Sequence, residues 1–240
     1  MLRLSLSKLL SLNAGFVDTL GFLALHGLLA AHVTGNLVTF GAAVVLETSG
    51  ATAKLLALPV FCAVIVVARL ASFWLIKRRW PVLKTMLSIQ VAFLVVAASL
   101  MVTYGPFPKG DGWQAVLVGL ALIGAMAIQN AAHRIHFGTS PPTTMMTGNI
   151  TQAMIDLADG IWGWNPDSRE ATRRRMVEML TSVAAFASGC ALAAAAFTCS
   201  GSLCFLIPPM IGLLALVAQP GTPLGKLEVR GALSTTSSEG

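Results

Sequence analysis

The chain has 240 residues, of which 55% are hydrophobic and only 11% charged, at a mean hydropathy of +0.77. Soluble domains carry about 25% charged residues, so an ordinary globular surface is excluded and a bilayer accounts for the apolar excess. The formal net charge is +6, but the cations sit between apolar runs, as in the cytoplasmic loops of membrane proteins, and this argues against a nucleic-acid partner.

In chain order, the first apolar run is 9–31. It carries Asp18 and has no convincing small-x-small cleavage site after it, so it reads as an uncleaved first span rather than a signal peptide. Runs 55–76 (with Arg69), 86–104, 113–132 (ending near Gln129 and Asn130), 177–198 and 203–218 also meet or approach the ~20 residues a crossing helix needs. Pro208 and Pro209 must kink the last of these or end it early. Two apolar stretches, 36–46 and 149–158, are too short to cross, and both follow the tripeptide Thr-Gly-Asn. The tail 219–240, rich in Gly, Ser and Thr, reads as disordered and cytoplasmic. Cys62, Cys190, Cys199 and Cys204 form no C-x-x-C pair and read as small apolar fillers without a disulfide.

The expected fold is an all-α polytopic membrane helix bundle with six spanning helices and two short half-helices. With six crossings, Arg3, Lys8, Lys77, Arg78, Arg79, Lys84, Arg134, Arg169, Arg173, Arg174, Arg175, Lys226 and Arg230 share one side, and only Lys54 and Lys109 lie on the other. Thirteen against two puts both termini in the cytoplasm.

The two halves echo each other. Asn13-Ala14-Gly15-Phe16-Val17-Asp18 precedes Thr34-Gly35-Asn36, and Ala125-Met126-Ala127-Ile128-Gln129-Asn130 precedes Thr147-Gly148-Asn149. Three crossings per half is an odd number, so the halves, 1–108 and 109–218, form an inverted repeat. Secondary transporters are often built this way, with sites where helices are interrupted near the midplane. A helix broken inside lipid frees backbone groups that lipid cannot satisfy. Gly permits the break, and Thr or Asn caps the helix that follows. The bare N-terminus then suits a polar or anionic ligand. On that reasoning Thr34, Asn36, Thr147 and Asn149 are candidate substrate contacts; the alternative is that they only cap re-entrant helices.

Asp18 stands roughly 15 Å, and Arg69 roughly 12 Å, from the same membrane edge at 1.5 Å rise per residue. Their similar depth and opposite sign lead to the expectation that they pair or share a polar cavity, because a lone charge there costs about 2.5–3.5 kcal/mol. Arg69 snorkelling to the cytoplasm is the alternative. Gln129 and Asn130, the counterparts of Asp18, either line the site or tie helices together. Asp156 is a weaker candidate. His26, His32, His133 and His136 lack companions at ligand spacing, so no metal is expected. No catalytic motif appears, so neither an enzyme nor a cofactor is expected.

Taken together, the Asn13–Asp18 segment, Gly21-Phe22-Leu23, the 125–130 segment and the two Thr-Gly-Asn tripeptides resemble the YoaK-like family of bacterial inner-membrane proteins, a domain of unknown function. The resemblance covers nearly the whole chain up to the tail. It implies a multi-pass protein of the bacterial cytoplasmic membrane, of permease type, and brings no substrate with it. The leading expectation is a small-molecule permease for a polar or anionic substrate, with the lipid bilayer as its surroundings and a homodimer as a plausible assembly. The other reading is a non-transporting assembly or sensor protein whose polar residues serve packing only.

Overall fold

A computed structural model describes residues 6–138, 141–163 and 169–218; the tail expected at 219–240 lies outside them. Among the described residues the chain is all-helical: α1 (Leu6–Ala24), α2 (Gly35–Val45), α3 (Ala51–Lys77), α4 (Val82–Tyr104), α5 (Trp113–His136), α6 (Met146–Trp162), α7 (Arg169–Ser200), a 3-10 helix (Gly201–Leu206) and α8 (Ile207–Val217).

Four stretches are long and apolar enough to cross a membrane: α3, α4, α5, and the 49-residue run Arg169–Val217 that joins α7 to α8. The first predicted span comes out shorter than its 9–31 apolar run. Helix α1 stops at Ala24 because His26 and Gly27 both adopt left-handed backbone, with φ of 55° and 86°. His26 is held there by its Nε2–H donating to Phe107 O at 2.9 Å. The chain from 25 to 34 then folds back as irregular backbone. With Lys8, Asn13 and Asp18 along it, α1 is not among the four apolar stretches.

Pro208 and Pro209 end no helix. They occupy the opening positions of α8, where the first N–H groups have no intrahelical partner and proline loses nothing. The change of direction belongs to the 3-10 helix before them. Its Ser202 lies beside Gly105 at the end of α4, whereas Ala215 clusters with Leu87 near the start of α4 and with Leu10 of α1. Helix α8 therefore runs back along α4, antiparallel to it.

Helix α5 is the centre of the bundle. Of its most apolar 18-residue window 78% is buried, against 11% for α3. Helix α3 turns Val66, Val67, Leu70, Phe73 and Trp74 outward. So continuous an apolar surface is out of place in water and fits acyl chains. Helices α1 and α7 approach most closely. A Cβ on Gly15 would collide with Phe186 O, and one on Gly189 with Leu12 O, so these two glycines let the two backbones approach closely. Helix α1 packs on α7 and α8, while α5 packs on α3 and α4; α2 lies on α3, and α6 on α7. Each half's first helix thus rests mainly against the last two helices of the other half.

Candidate functional site

The two interrupted segments are closed by side chains. Asp18, buried on α1, accepts from the Ala31 N–H through Oδ1 and from His32 Nδ1–H through Oδ2, each at 2.6 Å. Asn36, in the first turn of α2, accepts from Leu29 N–H at 2.9 Å and donates its Nδ2–H to Leu29 O at 2.6 Å. A carboxylate and an amide thereby stand in for the backbone partners that lipid would not provide.

The second half repeats the device with different residues. Asn130 on α5 accepts from Thr144 Oγ1–H at 2.6 Å and donates to Met126 O at 2.9 Å. Asn149 in α6 donates to Pro142 O at 2.9 Å. The steps match: fourteen residues separate Asp18 from His32 and Asn130 from Thr144, and seven separate Leu29 from Asn36 and Pro142 from Asn149. Gln129 accepts from Gln90 Nε2–H at 2.7 Å and donates to Leu10 O and Thr143 Oγ1, joining α5, α4, α1 and the 141–145 segment.

Three expectations change. Thr34 stands at the N-cap of α2 but makes no side-chain capping bond, and α6 opens at Met146, so Thr147 lies inside that helix. The asparagines tie down the preceding segment rather than capping the next helix, because the chain doubles back within their reach. Neither Gly35 nor Gly148 has positive φ, so the breaks do not depend on glycine's backbone freedom. A Cβ at Gly35 would press on Leu29 Cδ1, whereas one at Gly148 would meet nothing within 4 Å. Finally, Asp18 pairs with His32, not Arg69. The Arg69 guanidinium lies 4.3 Å from the Phe73 ring centroid.

Arg69 and His32, the partner of Asp18, nonetheless line one cavity of ≈ 790 Å³. Its walls are the 31–34 segment, one face of α3, the end of α5, and residues 144–148, so the starts of both short helices border it. Of the residues singled out from the sequence, Thr34, Arg69, Asn130 and Thr147 line it. Asp18, Asn36, Gln129 and Asn149 are buried outside its lining and hold the wall in shape. Sequence reasoning missed His32, Arg134, Thr144 and Gly148 as lining residues. The signal for His32 and Thr144 was their shared fourteen-residue offset from the two matched polar positions.

Two carboxylate latches, one an ion pair and one a set of backbone hydrogen bonds, lie away from the cavity. Asp156 on α6 receives Arg175 of α7 in a two-point contact at 2.8 and 2.9 Å, and this holds its carboxyl below the usual carboxylate range. Asp111 accepts from the Thr52 and Gly50 N–H groups, which lowers its pKa in the same way. Among the described residues no group of histidines, cysteines and carboxylates could hold a metal.

No curated protein and no solved structure matches the chain. A family model described as "Protein of unknown function (DUF1275)" matches residues 6–218. The chain, a helical protein with the apolar spans of a membrane protein, therefore belongs to the DUF1275 family of unknown function.

Proposed function

We propose that this chain is a small-molecule permease of the bacterial cytoplasmic membrane, crossing it six times with both termini inside, and that its substrate site lies between two inverted halves, 1–108 and 109–218. One observation carries the reading: a single cavity is bordered by both Thr-Gly-Asn segments and by polar side chains from both halves. Carriers of this construction bind substrate where interrupted helices meet. The matched hydrogen-bond steps and the exchanged packing of α1 with α7 and α8, and of α5 with α3 and α4, support the two-half description. Crossings by α1, and by α7 and α8 separately, complete the six. A polar or anionic solute is the expected cargo and a second copy of the chain the expected partner.

Reconstituted protein screened against metabolites by thermal shift, then assayed for uptake in proteoliposomes, tests the reading. A stabilising metabolite should be taken up above the empty-liposome background. Gly148→Leu should abolish uptake without lowering the ligand-free Tm, since position 148 lines the cavity and a Cβ there meets nothing within 4 Å. Ligand-stabilised protein with no flux above background would sink the permease and favour a non-transporting sensor.

A further inference from the structure

We infer that the cavity takes a soluble organic anion, a single acidic head on an apolar body. The inference deepens the permease reading and rests on it for the cavity's role, but the chemistry stands on separate observations. Two guanidinium groups, Arg69 and Arg134, line the cavity, and among the described residues no Asp or Glu does. Asp18, which approaches the wall from behind, is already engaged by His32 and the Ala31 N–H. Arg69 rests on the Phe73 ring and Arg134 reaches Met145 Sδ at 3.5 Å. Neither contact neutralises the charge, and thioether sulfur is a weak acceptor. Two exposed cations at the wall of a half-open, largely apolar cavity favour an anion, and the planar guanidinium fork matches a carboxylate or phosphate.

The rest of the wall defines the body of the ligand. Leu58, Phe61, Ile65, Ile135 and Met146 contribute apolar surface. At ≈ 790 Å³ the cavity falls within the ~300–1,000 Å³ typical of small-molecule sites. A bare inorganic ion would leave most of that surface unfilled. Thr34, Asn130 and Thr147 offer polar contacts at the borders of the short helices, enough to orient a head group without a second charge.

The test uses the full chain in phosphatidylcholine nanodiscs at pH 7. Benzoate, hexanoate and phenyl phosphate are titrated calorimetrically beside benzylammonium, benzyl alcohol and inorganic phosphate. At least one organic anion should bind saturably, at least tenfold more tightly than benzylammonium, benzyl alcohol or inorganic phosphate. Arg69→Gln and Arg134→Gln should each weaken it at least tenfold, Arg69→Lys and Arg134→Lys less, and Arg78→Gln, whose side chain stacks on Trp74 outside the cavity, not at all. No saturable anion binding, equal binding of benzylammonium, or arginine variants that fold and bind like the parent would each overturn the inference. Should the glutamine variants not fold, the parent's anion-over-cation preference decides alone. Nanodiscs with one-fifth phosphatidylglycerol address the other source of an anionic head. Unchanged affinity supports a soluble ligand, and displacement assigns the cavity to lipid and overturns the proposal. Counterflow of the bound anion in proteoliposomes separates the two claims. Binding without flux removes the permease but keeps the anion site, whereas flux of cations in its place does the reverse.

Discussion

Asp18 and Asn36 look alike in the sequence, two polar side chains in apolar surroundings, yet both serve the backbone before they can serve a ligand. Asn36 closes two bonds to Leu29, and Asn149 closes one to Pro142. A buried polar group left unpaired costs about 1–3 kcal/mol. Asn36→Ala should therefore lower stability by about 1–3 kcal/mol, and Asn149→Ala by less, read as Tm in detergent. Asp18 provides a sharper test. Groups in contact couple by about 0.5–3 kcal/mol, while independent ones add to within about 0.5 kcal/mol. A cycle of Asp18→Asn with His32→Gln should show coupling, and a cycle of Asp18→Asn with Arg69→Gln should be additive in stability. Strong coupling in the second cycle and none in the first would restore the pair that charge and depth alone suggested.

At the level of elements, α1 against α7 depends on two glycines and α6 against α7 on one ion pair. Gly189→Val forces a branched side chain into Leu12 O, which is backbone and cannot step aside. Overpacking of this kind costs about 1–3 kcal/mol, and more is expected here; Gly148→Ala should be neutral or slightly stabilising, since Ala is the better helix former. Thermal denaturation of the two variants side by side separates a packing glycine from a cavity glycine. The Asp156–Arg175 latch has a pH signature. Because the folded carboxyl is held below its unfolded value of about 3.9, its contribution is fully present above that pH and is lost as pH falls through the lower folded value. Hydrogen exchange of α6 should be faster in Asp156→Asn than in the parent at pH 7, and the difference should shrink at pH values acidic enough to protonate the latch. An unchanged gap there would mean that Asp156 acts through packing rather than charge.

For the whole molecule, the proposed sides of the membrane rest on where the cations gather. In a background freed of Cys62, Cys190, Cys199 and Cys204, Lys109→Cys should react with a membrane-impermeant maleimide in intact cells, and Arg79→Cys only after permeabilisation. Labelling of both from outside would break the six-crossing topology. Because the cavity is walled by α3, the end of α5 and residues 31–34 and 144–148, moving the starts of the two short helices against α3 and α5 would reshape it. The Asp156–Arg175 contact, near the residues that follow α5, would have to open if access were gained there.

Much of this chain was legible beforehand, for a plain reason. Bilayer burial demands long apolar runs, and a broken helix inside one demands polar side chains to mend it, so spans, short helices and the matched tripeptides are written in composition and spacing. Helices α2 and α6 begin within a few residues of where Thr-Gly-Asn led us to expect them. What spacing could not supply was partnership. Depth and sign alone would have joined Asp18 to Arg69, but His26 and Gly27 turn the chain back so that His32 reaches the carboxylate first. Arg69 is left facing a cavity with Arg134. The amino-acid order determined which groups had to be satisfied inside the apolar layer; only the packed helices decided which neighbour satisfied each one, because that depends on where a doubled-back segment comes to rest.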